Sequence, residues 1–188
     1  MRRAPALALA LAVLCAALPS AALGADAVWD ALGAPGSVVV VRHSYAPGAF
    51  DPPGARLDDC STQRNLDAAG RAQAGRIGEE FRRHGIVVGT VLSSPRCRCM
   101  DTARLAFGRA EAWAPLEGAL KDAELRRRRL AEVRQRIDAY RDTPALVLVT
   151  HGSVVSDLTG VDVRMGGLVV LRRGGDGRFA VAGQLYVD

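Results

Sequence analysis

Ser37-Val-Val-Val-Val-Arg-His43 is the stretch that decides the fold. Four valines in succession lack the alternation of a half-solvated strand and read as a strand buried on both faces. The run stops at Arg42 and His43 and gives way to Ser44-Tyr45-Ala46-Pro47-Gly48, which is loop chemistry. Arg42 and His43 are therefore expected at the carboxyl end of a central strand, the rim where open α/β sheets bind ligands. Ala145-Leu-Val-Leu-Val-Thr-His151-Gly152 repeats the pattern far downstream. Two buried strands that each end in a histidine suggest one site built at one edge of one sheet.

The segments around these strands complete an α/β alternation. Val28 to Leu32 is expected as a short helix under the sheet. A long polar loop, Ser44 to Arg64, contains three prolines and several acids, and a loop of that length at a strand's carboxyl end is commonly functional. Asp67 is a good N-cap for a helix over 68–84, with Gly85 as its stop. Further elements are a strand over 86–93, a helix from Pro95 to Phe107, a short strand at 111–116 and a long helix over 118–141. Leu130, Val133, Ile137 and Tyr140 form the apolar stripe of that last helix. A short helix over 153–158 follows the second histidine strand. Segments 167–172 and 178–187 close the chain as a hairpin around Gly174 to Gly177. The expected fold is a single-domain three-layer α/β/α sandwich with a mostly parallel central sheet, occupying residues 28–188.

Residues 1–24 read instead as a signal peptide. Met1-Arg2-Arg3 is a short basic start, Ala6 to Leu18 is apolar, and the small residues after Pro19 suit cleavage near 24–27. The apolar run is short and alanine-rich for a membrane span, and Leu14 before Cys15 does not suit a lipoprotein signal. A periplasmic or secreted protein without a stable membrane anchor is expected. The net charge is +5, almost all of the cations being arginine and Lys121 the single lysine. Removal of the leader takes two of those charges, so the balance gives little reason to expect a nucleic-acid partner. Oligomeric state is not legible.

Export changes the reading of Cys60, Cys97 and Cys99, because an oxidising compartment favours one disulfide. Cys97 and Cys99 are too close in sequence to bridge easily, so Cys60 pairs with one of them. Three buried thiols are the alternative. No second cysteine pair or histidine cluster completes a metal site, and no cofactor is expected.

Four segments in order resemble the histidine phosphatase superfamily, which includes phosphoglycerate mutases. They are Arg42-His43 after the valine strand, Leu66-Asp67-Ala68-Ala69-Gly70-Arg71-Ala72-Gln73-Ala74, Ser93-Ser94-Pro95-Arg96-Cys97-Arg98 with Thr102-Ala103, and Val149-Thr150-His151-Gly152. Asp59 to Leu66 is similar to a set of exported members. The resemblance implies the phosphoglycerate mutase-like fold and a metal-independent phosphatase of the histidine acid phosphatase type. His43 would be the nucleophile, with Arg42, Arg98 and His151 holding the phosphate and Arg64 lining the pocket. The exported relatives also imply that Cys60 pairs with Cys97.

The chemistry agrees with those roles. A neutral imidazole is a competent nucleophile, and guanidinium forks match the oxygens of a transferring phosphoryl group. The two histidines are expected to titrate as a pair, with a rate maximum on the acidic side of neutrality. Three residues are candidates for the leaving-group acid that the resemblance implies. Glu117 stands about one position off the pattern, and Asp51 and Asp59 are rivals. If none serves, only good leaving groups such as phosphoramidates would react quickly, since losing general-acid help costs ~10²–10⁴ in rate. The expected substrate is a small phosphorylated molecule, a phosphomonoester or phosphoramidate. A non-catalytic binder of phosphorylated ligands and a phosphoglycerate mutase-type transferase are the alternatives.

Overall fold

A computed structural model describes residues 24–188 apart from 119, 120, 176 and 188. The leader expected over residues 1–24 thus lies, up to residue 23, outside the described residues. Helix α1 (Ala25–Gly33) precedes strand β1 (Val38–Arg42), and α2 (Ala68–Arg83) leads to β2 (Val88–Ser93). Then come α3 (Cys97–Phe107), the two-residue β3 (Glu111–Ala112), α4 (Ala123–Ala139) and β4 (Ala145–Thr150). Helix α5 (Gly152–Thr159) and the strands β5 (Leu168–Arg173) and β6 (Phe179–Leu185) complete the chain.

The six strands form one sheet in the order β3-β2-β4-β1-β5-β6. Pairings β2 with β3, β2 with β4 and β1 with β4 are parallel, while β5 and β6 add an antiparallel edge. Val38 to Val41 are all fully buried, as are Leu146 to Val149. They divide by the two-residue period of a strand. Val39, Val41, Val147 and Val149 join α1, α2 and α3 in one apolar cluster. Val38, Val40, Leu146 and Leu148 join α4 and α5 in the other. A central strand that feeds two cores has no polar face, and each such valine contributes about 1.5–3 kcal/mol by burial. The result is a helix–sheet–helix sandwich, as the valine run implies.

Helix starts follow local chemistry. The Asp67 carboxylate accepts from the Gly70 N–H at 2.8 Å, and Asp122 caps α4 through Glu124 and Leu125. Gly85, with φ +66°, ends α2 in the left-handed region. Two expectations are corrected. The long helix begins at Ala123 rather than at 118, because Asp122 supplies the cap. The strand expected over 111–116 is only Glu111–Ala112, since Pro115 turns Ala114–Leu116 into a single 3-10 turn.

Candidate active site

Arg42 of β1 pairs with Thr150 of β4 in parallel register, so the next residues, His43 and His151, leave the sheet side by side. Their ring centroids are 5.5 Å apart at an interplanar angle of 69°. The backbone N–H of His43 still donates to the Thr150 carbonyl at 2.9 Å, so the nucleophile candidate is held by the sheet itself. Residues far apart in sequence meet because their strands are neighbours.

His43 is buried, and its Nδ1 lies 2.8 Å from the Ser44 carbonyl oxygen. A carbonyl can only accept, so Nδ1 carries the proton and Nε2 presents the lone pair. Burial is the main cause that pushes the ring down to about 3; the Ser44 bond opposes it, and the charges of Arg98, Arg64 and Arg42 add to it. His43 is therefore neutral at ordinary pH, the form that a nucleophile needs.

The loop after His43 is fixed from three sides. The Ser44 N–H donates to Thr102 Oγ1 at 3.0 Å, and that hydroxyl donates to the Arg98 carbonyl at 2.7 Å. The Tyr45 N–H donates to Gln73 Oε1 at 2.9 Å, and Gln73 Nε2 donates to the Met165 carbonyl at 3.2 Å. Helix α2 comes so close that a Cβ on Gly70 would lie 1.8 Å from the Tyr45 carbonyl oxygen. Gly70, Gln73 and Thr102, which carry much of the family resemblance, thus hold the histidine loop.

Three arginines surround the ring in the same manner. Arg42 Nη1 donates to the Val163 carbonyl at 2.8 Å. Arg64 Nη1 donates to the Ala46 and Gly48 carbonyls at 2.6 and 3.0 Å. Arg98 Nη1 donates to Asp51 Oδ1 at 2.8 Å. Each guanidinium is tethered at Nη1, and the Nε of each is buried without a hydrogen-bond partner among the described residues. A cation whose buried N–H lacks an acceptor is costly; three together form a cradle for an anion with several oxygens. Gly152 lets Arg42 in, because a Cβ there would lie 3.1 Å from its guanidinium carbon.

His151 faces the same space but is engaged by protein. Its Nε2 is 2.9 Å from Ser94 Oγ, and Arg98 Nη2 stands 3.4 Å from its Nδ1. Burial, then the nearby charges of Arg98 and His43, hold it well below the usual histidine range. A phosphate dianion beside the ring would favour its charged form. Cys99 lies beneath, its Sγ 3.6 Å from His151 Nε2, and burial pushes the thiol up to about 12. It packs as a neutral thiol.

The three candidate acids lie in different settings. Glu117 is clamped at both oxygens, Oε1 by Arg96 at 3.0 Å and Oε2 by Arg129 at 2.9 Å. Asp51 accepts at Oδ1 from Arg98 and from the Arg64 N–H at 2.9 Å, and its Oδ2 is 3.3 Å from Arg96. Burial pushes the Asp51 carboxyl up, but those donors outweigh it and hold it below the usual carboxylate range. Asp59 caps Ser61 and pairs with exposed Arg56 within the loop. Glu117 and Asp51 are thus both engaged by guanidinium groups at each of their oxygens. Sequence reasoning passed over Arg96 and Ser94, whose signal was their place in the Ser93-Ser94-Pro95-Arg96 turn.

Cys60 and Cys97 form a disulfide, and Cys99 is the free thiol. The bridge joins the long loop to the first turn of α3, one residue before Arg98. Gln63 reinforces that joint, its Oε1 accepting from the Cys97 N–H at 3.0 Å.

Residues 38–126 match the model of the histidine phosphatase superfamily (branch 1). No curated protein matches the sequence. The fold is shared by an open reading frame product of Mycobacterium tuberculosis, Rv3214, at 14% identity and TM-score 0.62, covering 77% of this chain and 94% of that one. It is shared by a putative phosphohistidine phosphatase SixA from Agrobacterium tumefaciens at 21% identity and TM-score 0.56, covering 81% and 98%. A protein histidine phosphatase SixA complexed with tungstate aligns at 16% identity and TM-score 0.53, covering 80% and 96%. Over residues 38–126 the chain is thus similar to the histidine phosphatase superfamily, and its fold is that of the structures above. Among the described residues no cluster of His, Cys, Asp or Glu could hold a metal ion, and no helix is long and apolar enough to cross a membrane.

Proposed function

We propose that this protein is an exported phosphatase that works through a phosphohistidine on His43, and that it favours leaving groups needing little acid help. One observation carries the reading. A neutral imidazole with its lone pair on Nε2 stands among three arginines, each tethered at one end and each with a buried, partnerless Nε–H.

In the first step Nε2 of His43 attacks phosphorus, a P–N bond forms, and the bond to the leaving group breaks with its electron pair. Arg42, Arg64 and Arg98 balance the charge on the equatorial oxygens, which is the protein's largest task in phosphoryl transfer. In the second step water attacks the phosphohistidine, and inorganic phosphate and neutral His43 are regenerated. Nothing in this sequence calls for a metal or cofactor.

The engagement of Glu117 and Asp51 by arginines supports the leaving-group preference. A phosphoramidate nitrogen takes its proton from water and departs as an amine, whereas an alkyl oxygen needs an acid. Phosphohistidine is itself a phosphoramidate, and two proteins of similar fold bear that activity in their names. Export is supported by the basic-then-apolar leader and by a disulfide that an oxidising compartment would maintain.

Hydrolysis by the mature, oxidised protein of phosphoramidate, p-nitrophenyl phosphate and an alkyl phosphate tests the reading. The first two should be turned over with kcat/KM at least about 10²-fold above the third, the lower end of what a general acid contributes. Equal rates on all three would show that an acid is in place. Phosphate binding without turnover of any of them would make the protein a binder.

A further inference from the structure

The loop over 44–64 is fastened to α3 by more than its disulfide. The Asp51 carboxylate reaches from that loop to three donors at once: the Arg98 guanidinium, the Arg96 guanidinium and the backbone N–H of Arg64. Arg98 is the most deeply buried of its partners, with a side chain 8% exposed. Its other protein contacts are long, 3.4 Å to the Arg64 carbonyl and 3.4 Å to His151 Nδ1. Among the described residues Asp51 is thus its one short partner, and removing it would leave a buried charge uncompensated.

The end of the fork that Asp51 occupies matters. With Nη1 taken, the edge left for a ligand is the Nε–Nη2 side, and Nε is the atom that is buried and partnerless. We propose that Asp51 is a positioning residue, which by gripping Nη1 of Arg98 and bridging to Arg96 turns the Nε–Nη2 edge of Arg98 toward the phosphoryl group on its way to His43. This rests on the phosphatase reading above and assigns the loop a part in it.

Charge and position predict opposite outcomes, which makes the idea testable. Deleting a carboxylate beside arginines raises the local positive charge and would tighten any phosphate anion. Losing the orientation of Arg98 would weaken the complex that resembles the transition state. We therefore expect Asp51→Ala to lower kcat/KM for p-nitrophenyl phosphate at least about tenfold, mostly in kcat, as an interaction realised in the transition state does. Inhibition by orthovanadate, which can adopt the five-coordinate geometry, should weaken in step. Inhibition by inorganic phosphate should change by less than about threefold or tighten. Asp51→Asn keeps an acceptor for Arg98 and should recover part of the loss on both aryl and alkyl substrates.

Asp51→Ala with unchanged kcat/KM and vanadate inhibition would overturn the proposal. So would higher activity with tighter phosphate, which would make Asp51 a competing anion. A loss in Asp51→Asn confined to the alkyl substrate would make it a general acid and overturn it too. If the wild-type protein hydrolyses nothing, the phosphatase reading fails separately, and vanadate affinity still decides: weaker binding in Asp51→Ala upholds the positioning role, and equal binding ends it. If Asp51→Ala fails to fold with its disulfide intact, Asp51→Asn alone decides, and wild-type kcat/KM with wild-type vanadate affinity counts against the role.

Discussion

At the residue scale the two histidines dominate. Both are held below their unfolded value, His43 to about 3, with burial as the first cause in each. The unfolded chain, with histidine near 6.5, binds more protons than the folded one between those values. For His43 this stability is fully present above about pH 6.5 and falls as the pH drops toward 3, by up to about 1.4 kcal/mol per pH unit, and His151 adds a loss of the same sign. Urea unfolding at pH 7 and pH 4.5 should show a lower midpoint at the acid value, and His43→Gln should flatten the difference. An equal pH dependence in that variant would mean that His43 is not buried neutral. The same depression moves the lower limb of kcat/KM away from 6.5, so His43 protonation should cost little activity down to about pH 5. The sequence showed the histidines as strand-end residues, and their meeting followed from two valine-rich strands. It could not show that Glu117 and Asp51 are occupied, because Arg96 comes from the turn before α3, Arg98 from α3 and Arg129 from α4.

At the scale of elements, two of the three glycines of α2 have opposite requirements. A Cβ on Gly70 would meet the Tyr45 carbonyl at 1.8 Å, whereas one on Gly75 would meet nothing within 4 Å. Gly70→Ala must push the helix off the histidine loop and should cost at least about 2–3 kcal/mol along with most activity. Gly75→Ala should stabilise by about 0.4–1 kcal/mol and leave activity alone. Denaturation midpoints of the two variants check this, and a harmless Gly70→Ala would mean that the close approach is not required. The helix face and its Asp67 cap were legible from spacing. The reason for Gly70 was not, because its neighbour comes from another loop. The start of α4 differs from the expected one for a local reason: Asp122 caps the helix, and the apolar stripe does not mark that position.

For the whole molecule, a parallel sheet brings two strand ends together, and the Cys60–Cys97 bridge then ties the loop over 44–64 to the arginine-bearing turn of α3. The bridge closes 37 residues, which corresponds to roughly 3–4 kcal/mol by loop-closure entropy. Cys60→Ser should lower stability by that order. Phosphate affinity should fall as well, because Arg64 rides on the freed loop; unchanged affinity would show that the loop docks without the bridge. The layered fold could be read from two buried strands and the amphipathic segments between them. The pairing of Cys60 with Cys97 over Cys99 rested on resemblance alone, since Cys99 is distinguished only by the interior beneath His151, which no sequence spacing displays.

The most direct test of the account is to trap its intermediate. Mature oxidised protein mixed with p-nitrophenyl phosphate and quenched in base should yield one phosphoryl group, stable to base and labile to acid, on the peptide containing His43. His43→Ala should fold normally, with neither adduct nor turnover. Turnover by a pure, folded His43→Ala sample, or an adduct located on another residue, would contradict the account.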